Sequence, residues 1–161
     1  MPDMLVKLYD LPDLHASLST QAAQGITIRK PIGPEHRWVI EWMLREFSDG
    51  WASEAQAALG NRPLSCFLAI ESGALSGVAC YDATARGYFG PVGVRPGAQG
   101  RGTGTALLLA CLHDMRAAGY GYAVIGAVAA TEFYRRSVGA TEIPASSPGL
   151  YAGMLRRPGG T

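Results

Sequence analysis

The run Gln99-Gly100-Arg101-Gly102-Thr103-Gly104-Thr105 is where chemistry is first legible in this chain; the apolar segment Ala106-Leu107-Leu108-Leu109 follows it. Glycines at 100, 102 and 104 keep side chains off the backbone and let successive N–H groups converge. A helix beginning here leaves its first N–H groups unpaired and presents a positive dipole end. With the cation of Arg101 added, these features make an anion site, most often one for phosphate. A plain helix-capping turn remains the alternative from these residues alone.

The kind of phosphate ligand is narrowed by what is missing. An NTPase loop requires Gly-x-x-x-x-Gly-Lys-Ser/Thr, and no lysine stands here to reach the outer phosphates. A dinucleotide fingerprint requires a third glycine where this chain has Thr105. The pattern Gln99-x-x-Gly102-x-Gly104, set between a strand with an Arg95-Pro96 turn and a Leu-rich helix, resembles the pyrophosphate loop of the GCN5-related N-acetyltransferases (GNAT). That resemblance implies acetyl-CoA as cofactor, with Gln99, Gly100, Arg101, Gly102, Thr103, Gly104 and Thr105 around its pyrophosphate. It also implies that the strand Tyr88 to Val94 splays from its neighbour and receives the pantetheine arm along Val92, Gly93 and Val94. Gly90, Pro91 and Gly93 suit a bulge there, or a plain edge strand, because proline has no N–H for a ladder.

The run Ala130-Thr131-Glu132-Phe133-Tyr134 with Gly139 resembles the same family's second motif. The resemblance places Ala130 and Phe133 beside the cofactor, with Phe133 turned to the core, and Tyr134 at the split between strands, near the thioester sulfur. A phenol there can protonate the departing thiolate or stabilise its charge. Two positions depart from the pattern. Ala127 stands where the family often has asparagine, and Ala140 replaces a packing aromatic after Gly139. An amine acceptor must lose a proton before attack, yet Tyr88 to Val94 holds no carboxylate. Asp82, Glu71, Glu132 and Asp49 are the candidates for base, with Asp82 foremost because it ends the adjoining strand.

The elements that must position these residues follow from periodicity. Ile26 to Arg29 alternates as the first strand of the sheet proper. Trp38, Val39, Trp42, Met43 and Phe47 recur at helical spacing as a core stripe. Phe47-Ser48-Asp49-Gly50-Trp51 breaks that helix before another over Ala52 to Leu59, and Phe47, Asp49 and Trp51 are acceptor-side candidates. Ser65 to Ile70 and Leu75 to Tyr81 form an expected hairpin. A helix from Thr105, capped at Gly119, leads to a buried strand over Tyr122 to Ile125. Residues 144–151 form a stiff loop that overhangs the acceptor site, connects strands or joins a homodimer contact; Tyr151 is placed substrate-side and opens a return strand to Leu155.

The 161 residues, 48% of them hydrophobic and 17% charged, suit a single buried core. A formal net charge of +1 argues against a nucleic-acid partner. Cys66, Cys80 and Cys111 lack metal or redox spacing, so no metal is expected and the thiols suit a reducing cytoplasm. No signal segment or membrane span is expected. The organisation reads as an N-terminal strand and arm over 1–25, an acetyltransferase-like domain over 26–155 and a flexible tail over 156–161. The fold class is mixed α/β: a central, mostly antiparallel mixed sheet with a splayed strand pair, flanked by helices. The implied activity is direct acetyl transfer to a small-molecule or peptide amine. The alternatives are a non-catalytic acyl-CoA-binding module and a nucleotide-binding domain.

Overall fold

Alternating strands and amphipathic helices assemble into one seven-stranded sheet with helices on both faces. The computed structural model describes residues 1–159. In chain order the elements are β1 (Met4–Lys7), α1 (Leu14–Ala23), β2 (Ile26–Arg29), α2 (His36–Glu46), α3 (Asp49–Gly60), β3 (Cys66–Glu71), β4 (Ala74–Tyr81), β5 (Tyr88–Val94), α4 (Thr103–Ala117), β6 (Tyr122–Ile125), α5 (Thr131–Val138) and β7 (Thr141–Glu142). Their spatial order is β2-β3-β4-β5-β6-β1-β7. All pairings are antiparallel except β5 with β6, so the sheet is mixed as expected.

Local chemistry sets the helix starts. The Asp13 carboxylate accepts from the N–H groups of His15 and Ala16, and the Ser48 hydroxyl accepts from Trp51 N–H, capping α1 and α3. Ser72 and Gly73, with φ of 51° and 75°, make the two-residue turn of the β3–β4 hairpin. One core lies under α1 and α4, with Leu107, Leu108, Leu112 and Met115 fully buried against the sheet. The other lies under α2 and α3 around Val39, Met43, Ala55 and Leu68. Trp38, expected in the core stripe, points to solvent instead.

The strand expected over Tyr151 to Leu155 does not form. A short 3-10 turn spans Gly149–Tyr151, and Leu155 is 91% exposed. The reason is competition for one slot. β1 from the N-terminal segment lies between β6 and β7, pairing Met4 with Ile125 and with Glu142. Met4, Val6 and Leu8 are fully buried there, each stabilising the fold by roughly 1.5–3 kcal/mol. Residues 1–25 are therefore built into the domain rather than appended to it. Of the expected tail, Arg157 folds back to pair with Asp49 at 2.8 Å, and residues 160 and 161 lie outside the described residues.

Candidate functional site

A bulge opens the site. Ala79 pairs with Val92 and Tyr81 with Phe89, so two steps on β4 face three on β5 at Gly90-Pro91. On its other side β5 pairs with β6 only at Tyr88 with Val124 and Phe89 with Ile125. Among the described residues that side carries no ladder bonds from Gly90 to Val94; this unpaired edge of β5, beyond which the chain enters the glycine loop, is the cleft.

The loop runs from a 3-10 turn at Pro96–Ala98 into α4. Gly102 is the N-cap, with φ of 79° and no side-chain cap. Among the described residues, the N–H groups of Gly102, Thr103, Gly104 and Thr105 have no acceptor. A Cβ at Gly100 would meet nothing within 4 Å, so the loop faces open space with its donors free. The Gln99 amide ties back to the Val94 carbonyl at 3.1 Å.

Arg101 departs from the phosphate role of its charge. Its guanidinium is turned to Glu71, with contacts of 2.8 and 3.1 Å, and to Gln24. That ion pair holds the Glu71 carboxyl below the usual carboxylate range. The Thr103 hydroxyl is likewise engaged, donating to Gln21 Oε1 at 2.7 Å. Gln21, 1% exposed, also donates from Nε2 to the Arg101 carbonyl at 2.9 Å. What the loop can offer an anion is therefore its backbone N–H groups and the helix dipole. α1, whose role the sequence does not declare, is the brace that fixes their direction.

At the inner end of the cleft stands Tyr134 on α5. Its ring packs edge-on against Phe89 and Phe133, at centroid distances of 6.4 and 5.0 Å. Burial pushes the phenol up to about 12, so it remains protonated at neutral pH. Its hydroxyl has no hydrogen-bond partner among the described residues. Phe133 does not face the core as expected; it is 39% exposed, because successive helical positions diverge and Tyr134 takes the inward one. Ala130 caps α5, its carbonyl accepting from Phe133 N–H. Ala127 sits at φ 49°, a left-handed conformation that asparagine tolerates better.

Two of the acceptor-side candidates, Phe47 and Trp51, pack together on the opposite face of β5. A Cβ on Gly93 would lie 2.4 Å from the Phe47 ring, so glycine is what lets Phe47 lie against the strand. Trp51 packs on Phe47 at 4.8 Å. Tyr151 comes in from the far loop and lies with Tyr88 over Gly126, its hydroxyl 2.8 Å from where a Gly126 Cβ would stand. Burial raises the Tyr151 phenol, and the charges of Glu54 and Asp3 add to that.

All four carboxylates expected as bases are engaged elsewhere. Asp82 accepts from Gly87 N–H and from the Tyr120 hydroxyl, both at 2.7 Å. Glu71 holds Arg101, Glu132 holds Arg135 and Arg136, and Asp49 holds Arg157. Two carboxylates that sequence reasoning passed over lie beside Tyr151. Glu54 on α3 accepts from the Thr84 hydroxyl. Asp3, 6% exposed, accepts from Ala127 N–H at 2.8 Å. Glu54 had a signal: it lies three residues after Trp51, on the same helix face. Asp3 had none.

A separate hollow of about 470 Å³ lies between α2 and the β3–β4 hairpin, lined by Trp38, Trp42, Leu75 and the Arg29–Glu35 ion pair. Its lining includes neither the glycine loop nor Tyr134. Among the described residues no helix is long and apolar enough to cross a membrane, and no cluster of His, Cys, Asp or Glu could hold a metal ion.

Residues 36–140 match the profile of the acetyltransferase (GNAT) family. No curated protein matches the chain. Among solved structures, the GCN5-related glucosamine N-acetyltransferase region of a fungal multi-domain GH3 β-N-acetylglucosaminidase superposes with a TM-score of 0.72 at 15% identity, over 88% of this chain and 19% of that one. A GCN5-related N-acetyltransferase from Sphaerobacter thermophilus gives 0.64 at 26% identity, over 88% of this chain and 48% of that one. A GNAT family acetyltransferase from Brucella melitensis, solved with acetyl-CoA, gives 0.50 at 23% identity, over 74% and 91%. The chain spans less than half the length of the first two. With a profile match over most of its length and a splayed mixed sheet shared with these structures, the chain belongs to the acetyltransferase (GNAT) family.

Proposed function

We propose that this chain transfers an acetyl group from acetyl-CoA to an amine of a small molecule or peptide. One arrangement carries the reading: the unpaired edge of β5 has a loop of free N–H groups at one end and the half-buried phenol of Tyr134, packed on Phe89, at the other. Acetyl-CoA is the family's acyl donor, and when bound it supplies an activated thioester carbonyl. The residues present fit it, because open space at Gly100 faces donors that no protein group uses. Gly102 to Thr105 would hold its pyrophosphate, and the unpaired side of β5 offers backbone groups to an extended arm. Tyr134 holds a proton at its phenolic oxygen for the thiolate that leaves. Phe47, Trp51 and Tyr151 would line the acceptor's approach from the opposite face.

The three thiols are free and buried, and burial raises the Cys111 thiol. Unoxidised thiols suit a reducing compartment such as the cytoplasm. The test combines binding with turnover. Acetyl-CoA should raise the melting temperature, as a ligand selective for the folded state must, and ATP should not compete. Thiol release should then require an added amine. Binding without release for any amine would favour a non-catalytic acyl-CoA-binding module. Competition by ATP would favour a nucleotide site.

A further inference from the structure

We propose that Glu54 is the group that receives the acceptor's ammonium and takes its proton, with Thr84 and Tyr151 linking it to the inner end of the cleft. This rests on the acetyl-transfer reading. Glu54 lies one helical turn after Trp51, whose ring stacks on Phe47 against Gly93 of β5. Its carboxylate accepts from the Thr84 hydroxyl, which leaves further lone pairs free. Tyr151 stands within reach of both Glu54 and Thr84 and lies over Gly126, the first residue after β6 stops pairing with β5. Tyr88 closes the same corner, its ring 3.2 Å from where a Gly126 Cβ would stand.

Charge narrows the choice. Glu54 is half-buried and, like Asp3 and Asp82 among the described residues, has no cationic partner, whereas Glu35, Glu71, Glu132 and Asp49 each have one; Asp82 is already held by Gly87 N–H and the Tyr120 hydroxyl. A half-buried carboxylate without a partner favours an incoming cation. The face also matters. Phe89 and Tyr134 lie on one side of the sheet, and Glu54, Tyr88 and Tyr151 on the other. A base and an acid on opposite faces suit attack from one side and departure on the other. Overall an ammonium and a thioester become an amide, a thiol and one proton. The C–N bond forms and the C–S bond breaks. Nitrogen gives up two protons: Glu54 takes the first and passes it to solvent, and the second restores the phenol of Tyr134 after it has protonated the sulfur.

The test uses a panel of n-butylamine, tyramine, glucosamine and a lysyl peptide, with hydroxylamine and aniline as acceptors that are uncharged at neutral pH. Glu54→Gln keeps an acceptor oxygen for Thr84, so the fold persists. With the best ammonium acceptor, turnover should fall about 10²-fold. Calorimetric affinity of the CoA-loaded protein for that amine should fall about tenfold. Affinity for acetyl-CoA should stay within about twofold, and the uncharged acceptors should lose far less turnover, since they need no proton removed before attack. Equal loss on both amine classes, or no loss, would overturn the assignment. Asp3→Asn, which retains an oxygen for Ala127 N–H, should not distinguish the two classes; if it alone does, the base is Asp3 and not Glu54. Absence of wild-type transfer to every amine overturns the underlying reading, a result distinct from a fully active Glu54→Gln.

Discussion

The two ends of the cleft are built in opposite ways. The outer end is one continuous stretch, Gln99 to Thr105, whose donors are backbone N–H groups. The inner end, proposed to face the acceptor, is gathered from Asp3, Phe47 to Glu54, Thr84 to Tyr88, Tyr134 and Tyr151, segments far apart in sequence. The outer end offers main-chain geometry, which a brace must hold. The inner end works through side chains, which can be exchanged without disturbing the loop. The two ends should therefore fail differently when altered.

Tyr134→Phe gives the largest expected effect. Turnover should fall by about 10²-fold, the scale for losing a positioned acid, while acetyl-CoA affinity barely changes. A high-pH limb in the rate profile should also vanish, because burial holds this phenol protonated up to about 12. Steady-state rates against pH for both proteins decide it. Gly102→Val strikes the other end. The φ of 79° at this position strains a branched side chain, whose Cβ would also press on Gln21 Nε2 at 3.4 Å and disturb the brace. Acetyl-CoA affinity should fall about tenfold or more by calorimetry, with the residual complex still turning over.

Two glycines sharpen the contrast further. A Cβ on Gly93 would press into the Phe47 ring, so Gly93→Ala should destabilise the fold by about 1–3 kcal/mol, and truncating Phe47 should relieve part of that. A Cβ on Gly100 meets nothing; Gly100→Ala should cost stability only about 1–2 kcal/mol, for its left-handed backbone, and act mainly on acetyl-CoA affinity. Melting curves paired with titrations separate the two. A still smaller effect is expected from the brace. Gln21→Leu removes both of its bonds to the loop and should raise the Michaelis constant for acetyl-CoA several-fold with turnover unchanged.

The difference between the ends is also why one was legible in the sequence and the other was not. Glycine spacing and the Tyr134 motif are local patterns, and so is Gly90-Pro91, where the structure has the bulge rather than the plain edge strand that the same residues also allowed. The direction of Arg101 was not local. It depends on Glu71 and Gln24, which lie 30 and 77 residues away. β1 was legible as a strand, but its slot between β6 and β7 was not, because Met4-Leu5-Val6 pairs with residues more than a hundred positions on. The missing return strand after Tyr151 follows from that same slot being filled.

The least effect should come from acid. Arg101 lowers the Glu71 carboxyl, so their pairing is fully present above the ordinary glutamate range, about 4.3, and is lost as pH falls through the lower folded value. Glu35, held to about 2 by Arg29, behaves alike. Both pairs are partly exposed, so the change should be slight. Acetyl-CoA titrations at descending pH should show only a gentle weakening beyond the ligand's own titration.

One measurement reaches the central claim most directly. Wild-type protein would be incubated with acetyl-CoA carrying a ¹³C-labelled acetyl group and the amine panel, with free thiol and product mass followed together. Transfer through this cleft predicts labelled amide and free thiol appearing in equal amounts, and neither without an amine. Thiol released without labelled amide, or a tightly bound acetyl-CoA that no amine discharges, would contradict it.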